Sequence, residues 1–363
     1  MDQVPRVDAG DLSYAEFCTR FMAPNLPVLV TNVGSNWPVV RDWVDAQRRL
    51  RFEELRDRYG QVLAPVVASG AKNEYGDETR DDVVVATYLE WLESGRAEAE
   101  QLYLKDWHFT RDFPSDDLYS TPEYFADDWL NWCGSKHKCL VIHLWLRWWD
   151  RKARRGDKAR DDYRFVYLGP SGSFTPLHHD VFQSYSWSIN ISGQKEWLLF
   201  PPSETPKLLD RLGRSVPSDV RQIDATKYPM AHLAQALRVL QPPGAALFVP
   251  SGWYHQVTNT ATTLSINHNW FNAYNLATIW RYFQAQLAEV EREIEHCRDS
   301  FDSAAEWSAH CQLLLRANIG MDYGELHALL QARLTEATNS PFTIAQIELV
   351  LAVLGAHPSV AQN

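Results

Sequence analysis

The stretch Ser-Phe-Thr-Pro-Leu-His-His-Asp-Val-Phe, residues 173–182, sets two adjacent histidines and an aspartate inside an otherwise apolar run. As a strand, its side chains alternate between faces, so His178 and Asp180 project together and His179 points the other way. An imidazole and a carboxylate on one face supply two corners of the two-histidine, one-carboxylate set that holds Fe(II) with positions left open. Alone, His-x-Asp is a weak motif. A hydrogen-bonded core histidine beside a turn-forming aspartate explains it equally well, so its surroundings must decide.

Outward from it, residues 163–270 are rich in short strands: Arg164–Leu168, Thr175–Phe182, Tyr185–Ile191, Glu196–Phe200, Ala246–Val249, His255–Asn259 and Thr262–Trp270, separated by Gly, Pro, Ser and Asn. Many short strands with such breaks predict a mainly β fold, a sandwich or jelly roll. Upstream, helices are expected at Tyr14–Phe21, Trp43–Tyr59 and Thr87–Glu93, and strands at Leu26–Asn32, Ala64–Ser69, Asp82–Val85 and Gln101–Asp106. After Tyr274 the pattern is helical, over Leu276–Cys297, Ala304–Ala317, Tyr323–Thr335 and Ile344–Leu354. The expected organisation is a β domain over residues 1–274, with its core at about 163–270, and a helical bundle over 275–363, packed on the barrel or on a second copy of the chain.

A third metal ligand must come from another strand of the same barrel. His255, in Pro-Ser-Gly-Trp-Tyr-His-Gln-Val (250–257), follows a turn and opens a β-branched strand. An open-site iron that activates oxygen needs a two-electron co-substrate, and a dicarboxylic keto acid needs a cation for its far carboxylate. Lys195 qualifies, just past the Ser192-Gly193-Gln194 turn at the head of an apolar strand, although a solvent-facing hairpin lysine fits the same pattern. His268 is a candidate neighbour of the site, and His108 and His232 have no evident partner.

The composition of the 363 residues, 45% hydrophobic and 22% charged, is that of a globular protein, and a net charge of −11 argues against nucleic-acid or anionic-membrane binding. Five cysteines form no paired framework and the first residues lack a signal peptide's apolar core, which places the chain in the cytoplasm, with the nucleus as second choice. The longest apolar stretch, Cys139–Trp149, is too short for a membrane span and holds His143 and Arg147.

These residues together resemble the jumonji-C family of Fe(II)- and 2-oxoglutarate-dependent oxygenases. The likeness lies in Thr-Pro-Leu-His-His-Asp (175–180), in Trp-Ser-Ile-Asn-Ile-Ser-Gly-Gln-Lys-Glu-Trp (187–197) and in Pro-Ser-Gly-Trp-Tyr-His-Gln-Val (250–257). It implies a double-stranded β-helix, a cupin-like jelly-roll barrel with flanking N-terminal helices and the C-terminal bundle. It implies Fe(II), 2-oxoglutarate and O2 as cofactor and co-substrates, with His178, Asp180 and His255 as iron ligands and Lys195 on the far carboxylate. Thr175 and Tyr103 match positions that hydrogen-bond that carboxylate. Ser188 and Asn267 stand at co-substrate positions where relatives carry asparagine and threonine.

Within the family, Tyr-Leu-Lys-Asp-Trp-His (103–108) and Asp-Tyr-Arg-Phe-Val-Tyr-Leu-Gly-Pro (162–170) look like the branch that hydroxylates a lysine of the eukaryotic class 1 translation release factor. That likeness implies a protein substrate. Three alternatives stay open: N-methyl-lysine demethylation, a cupin-like binding module without turnover, and an assembly scaffold that dimerises through its helical tail. Residues 133–148 look inserted relative to the branch. Their Cys133, His137, Cys139 and His143 lack the long central loop of a zinc site, so zinc is not expected there, and the basic run 151–160 is expected to be a solvated loop.

Overall fold

The structure is a computed structural model that describes residues 3–72, 78–132, 162–337, 340–357 and 360; the segment 133–148 with its zinc candidates and the run 151–160 lie outside the described residues. In chain order the strands are β1 (Arg6–Asp8), β2 (Val28–Thr31), β3 (Leu63–Lys72), β4 (Glu78–Val84), β5 (Leu102–Trp107), β6 (Arg164–Gly169), β7 (Phe174–His178), β8 (Tyr185–Ser192), β9 (Lys195–Phe200), β10 (Leu237–Gln241), β11 (Ala246–Val249), β12 (Tyr254–Asn259) and β13 (Thr263–Trp270). They form a larger sheet, β1-β2-β11-β8-β13-β6-β5-β3-β4, and a smaller antiparallel one, β10-β9-β12-β7. From β6 onward the chain passes repeatedly between the two sheets, which is the expected jelly roll, and β1 to β5 extend the larger sheet at both ends.

β8 and β13 explain why the barrel has a polar interior. One face of β8, with Trp187, Ile189 and Ile191, joins Phe248, Ile266 and Trp270 in a core completed by Phe17, Trp43 and Phe125 from the N-terminal part. The alternate residues Ser186, Ser188 and Asn190 pair across the ladder with Asn269, Asn267 and Ser265 of β13 and are themselves buried or nearly so. Period-two alternation ordinarily separates core from solvent; here it separates an apolar core from an enclosed polar cavity.

Two turns differ from the sequence expectation. The helix expected over Trp43–Tyr59 forms only over Phe52–Tyr59, because Asp45 Oδ1 accepts the amides of Gln47 and Arg49 and offers the backbone a turn instead, with Arg48 at φ 61°; a short helix, Pro38–Asp42, lies ahead of the expected one. β7 stops at His178, and the expected strand to Phe182 gives way to a tight turn at Val181–Gln183. β1 and β10 were not expected: β1 has three residues, and β10 is an edge strand that exposes Arg238 and Leu240.

The chain forms two compact units: Met1–Ala126 with Asp161–Asp180 and Tyr185–Trp270, and Asp127–Arg160 with Val181–Ser184 and Phe271–Asn363. The second contains the expected helices, at Leu276–Ile294, Ala304–Ile319, Tyr323–Glu336 and Pro341–Leu354. The starts of the last three are capped by Ser303, Asp322 and Ser340, whose side chains accept the amides of Glu306, Glu325 and Thr343. Among the described residues no helix is long and apolar enough to cross a membrane.

Candidate functional site

His178 closes β7 and His255 stands second in β12; the antiparallel register sets them opposite one another, ring centroids 4.3 Å apart. Asp180 lies beyond the end of β7 and still converges on them, its Oδ2 3.8 Å from His255 Nε2. The ligating atoms of all three lie within 4.8 Å of one another, the spacing of a metal site.

Each donor atom is aimed before a metal is considered. His178 Nδ1 is 2.8 Å from the carbonyl oxygen of Pro176, and His255 Nδ1 is 3.1 Å from that of Trp253. A carbonyl only accepts, so both Nδ1 atoms carry the proton and both Nε2 lone pairs are free to ligate. Asn269 Nδ2 donates to Asp180 Oδ1 at 2.7 Å, while Asp180 Oδ2 is buried with no hydrogen-bond partner. A buried carboxylate oxygen left so is costly unless a cation meets it, and two imidazoles beside it complete a donor set suited to Fe(II). Burial raises the Asp180 carboxyl, but the His255 and His178 rings and hydrogen bonds from Ser186 and Asn269 outweigh it and hold it below its ordinary value. Burial, with His255 alongside, holds His178 well below the ordinary imidazole value, so it stays neutral and available as a ligand.

The triad sits in a cavity whose wall also includes Lys195, Thr175, Tyr103, Ser188 and Asn267. All eight residues singled out in the sequence therefore border one space. Lys195 is 2% exposed; its Nζ donates to Ser265 Oγ at 2.6 Å and lies 5.4 Å from the Tyr167 ring centroid. Burial lowers its ionisation to about 7. The backbone permits this arrangement through two glycines. Gly193, at φ 73°, makes the turn into β9, where a Cβ would meet the Thr262 carbonyl at 2.2 Å, and a Cβ on Gly169 would meet the Tyr103 ring at 2.5 Å. Asn267 Nδ2 donates to Ser265 Oγ at 3.0 Å, and Ser188 Oγ is buried with no partner.

His179 lies outside the triad, with its ring edge-on to Tyr254 at 5.1 Å. His108 lies 3.6 Å from Asp162, and His268 borders the cavity but packs at a tilt against Trp187, ring centroids 4.1 Å apart, and meets the Tyr119 hydroxyl at 2.7 Å. Sequence reasoning missed Asn269, Ser186 and Tyr167. The alternation Ser-Ile-Asn-His-Asn-Trp (265–270) carried the signal for Asn269, but the same pattern describes a solvent-facing strand, and only closure of the barrel separates the two cases.

A model of the cupin-like domain family matches residues 14–275. A human protein named 2-oxoglutarate and iron-dependent oxygenase JMJD4 is 37% identical over 378 residues, covering 97% of this chain and 84% of its own length. The Danio rerio protein of the same name is 35% identical over 364 residues, covering 96% and 80%. An Arabidopsis thaliana protein named arginine-specific demethylase JMJ20 is 37% identical over 327 residues, covering 89% and 68%.

Proposed function

The chain belongs to the cupin-like jumonji-C family of iron- and 2-oxoglutarate-dependent oxygenases, and we propose that it hydroxylates a lysine side chain of another protein, the eukaryotic class 1 translation release factor. The observation that supports an oxygenase is one cavity with the unpartnered Asp180 Oδ2 among two free Nε2 atoms at one end and the buried ammonium of Lys195 at the other. A metal donor set and a cation lining one cavity suit a metal-chelated dicarboxylate. The lysine and the release factor rest on the sequence likeness at residues 103–108 and 162–170.

His178, Asp180 and His255 would hold iron through Nε2, Oδ2 and Nε2. Lys195 would take the far carboxylate of 2-oxoglutarate, with Thr175 and Tyr103 beside it and Ser188 and Asn267 bordering the rest of the co-substrate. Iron and 2-oxoglutarate supply oxygen activation, driven by decarboxylation of the co-substrate to succinate. The chain's own residues bind and orient. Trp197 and Val257 on the cavity wall limit water beside the ligands, and the two backbone-held Nδ1–H groups fix the tautomers of the histidines.

A second outcome is demethylation of an N-methyl group: on lysine it is the alternative reading of the sequence, and on arginine it is supported by the name of the Arabidopsis relative. It uses the same C–H hydroxylation. Incubation with the release factor, Fe(II), ascorbate and 2-oxoglutarate, followed by peptide mapping, separates the outcomes. One added oxygen on a lysine is expected; loss of a methylene from a methylated peptide would favour demethylation, and no consumption of 2-oxoglutarate would favour a binding module.

A further inference from the structure

β5 contains an irregularity that the barrel does not need. Leu104 pairs with Leu168 and Trp107 with Val166, so β5 has one residue more than β6 between these pairs, and Lys105 and Asp106 form a bulge. Asp106 adopts the left-handed conformation, φ 61°, which an L residue keeps only when its surroundings hold it there. Bulges of this kind re-aim a side chain, and this one directs the Asp106 carboxylate to the cavity wall. Tyr167, which lines the cavity and lies under the Lys195 ammonium, donates its hydroxyl to Asp106 Oδ1 at 2.6 Å. The other oxygen faces outward, 3.4 Å from Arg80 Nη1, with the Asp106 side chain 28% and the Arg80 side chain 47% exposed. Asp106 thus reaches from solvent to the wall of the catalytic cavity.

The charges nearby give that carboxylate a task. Lys195 lies inside the cavity, Lys105 lies in the bulge, and Arg80 lies outside. A cationic side chain approaching the metal site would meet these positive groups. The Asp106–Arg80 pair is half exposed and worth little in water, so an incoming cation can replace Arg80, which then turns to solvent without being buried unpaired.

On the reading that the substrate is a protein side chain, we propose that Asp106 is the specificity-determining residue of the pocket: its carboxylate accepts the ammonium or guanidinium of the substrate in exchange for Arg80. Asp106 touches neither the reacting carbon nor the metal; it acts from beside the cavity wall, behind the Tyr167 hydroxyl.

The test uses the full chain loaded with Mn(II) and 2-oxoglutarate, and measures the binding of two blocked tripeptides, acetyl-Gly-Lys-Gly-amide and its norleucine counterpart, by Mn(II)-induced relaxation of their side-chain protons. The lysyl peptide is expected to bind roughly tenfold more tightly than the norleucyl one to the wild type. Asp106→Asn keeps an oxygen for the Tyr167 hydroxyl and is expected to abolish or invert that ratio, whereas Arg80→Ala is expected to widen it. The ratio is taken within each variant, so a general loss of folded protein cancels. No preference in the wild type, a preference that survives Asp106→Asn, or a ratio that narrows in Arg80→Ala would each overturn the proposal. An Asp106-dependent preference with no oxygen gained by the peptide or the release factor under Fe(II) and air would instead overturn the hydroxylase reading and leave Asp106 as a cation selector.

Discussion

At one end of the cavity His178 and His255 each give their Nδ1–H to a carbonyl two residues back, and Asp180 rests on Asn269; at the other end Lys195, fully enclosed, donates to Ser265 Oγ. The metal end is held largely by local backbone geometry, so its ligands are preorganised at little cost. The cation end keeps an ammonium in a buried site with no carboxylate partner found among the described residues, and its ionisation is pushed down accordingly. Stability is given up there for affinity, because a dicarboxylate that reaches Lys195 relieves a penalty the folded chain already carries.

The largest effect should come from the metal end. His178→Ala is expected to lower iron affinity by more than about 100-fold and to abolish the 2-oxoglutarate-dependent absorption seen on anaerobic addition of Fe(II), while His179→Ala keeps both. Equal loss in the two variants would break the assignment of His178 over its neighbour.

Lys195→Met should sharpen the contrast, because it is expected to act in opposite directions on function and stability. The Michaelis constant for 2-oxoglutarate should rise by about 10- to 100-fold as a charge-assisted bond is lost, whereas the protein without co-substrate should melt at a higher temperature than wild type at pH 7. The sign follows from the depressed ionisation. Between about 7 in the folded state and the ordinary value of 10.5, the unfolded chain binds the proton that the folded chain has released, so wild-type stability rises with pH across that window and the penalty is complete below it. Denaturant melts at pH 7 and pH 9 should show this rise in the wild type and a smaller one in the variant.

Asn269→Ala removes the group that orients Asp180 and is expected to weaken iron binding by about 10-fold, near the lower bound for loss of such a partner. The smallest effect is expected from Ser265→Ala, a few-fold rise in the Michaelis constant for 2-oxoglutarate, since about 1 kcal/mol is the usual net worth of one hydrogen bond. If Ser265→Ala matched Lys195→Met, the hydroxyl rather than the ammonium would carry the co-substrate.

The contrast between the ends also explains what could be read in advance. The His178 and Asp180 pairing was suggested by residues two apart sharing a face of a strand; the structure brings the two together by another route, since β7 ends at His178 and Asp180 lies past it. The late start of the helix expected over Trp43–Tyr59 was hidden because the hydrophobic spacing runs through residues 43–51, and the Asp45 turn that replaces its first half is a local hydrogen-bonding choice with a weak sequence signal. Asn269 and Ser186 were hidden for a different reason: whether a polar strand face meets water or an enclosed cavity depends on what packs over it.

The sequence by itself determined the short-strand jelly roll, the helical tail and the candidacy of His178, Asp180, His255 and Lys195, because these follow from periodicity, turn residues and a family likeness, all local or linear properties of the chain. Only the tertiary structure decided that the two histidines lie opposite one another across a ladder, that one oxygen of Asp180 is tied to Asn269 and the other free, and that Asp106 reaches the wall through Tyr167. Those facts depend on strand register and on one additional residue in β5, and a shift of one residue would turn His178, His255 or Asn269 to the opposite face of its strand.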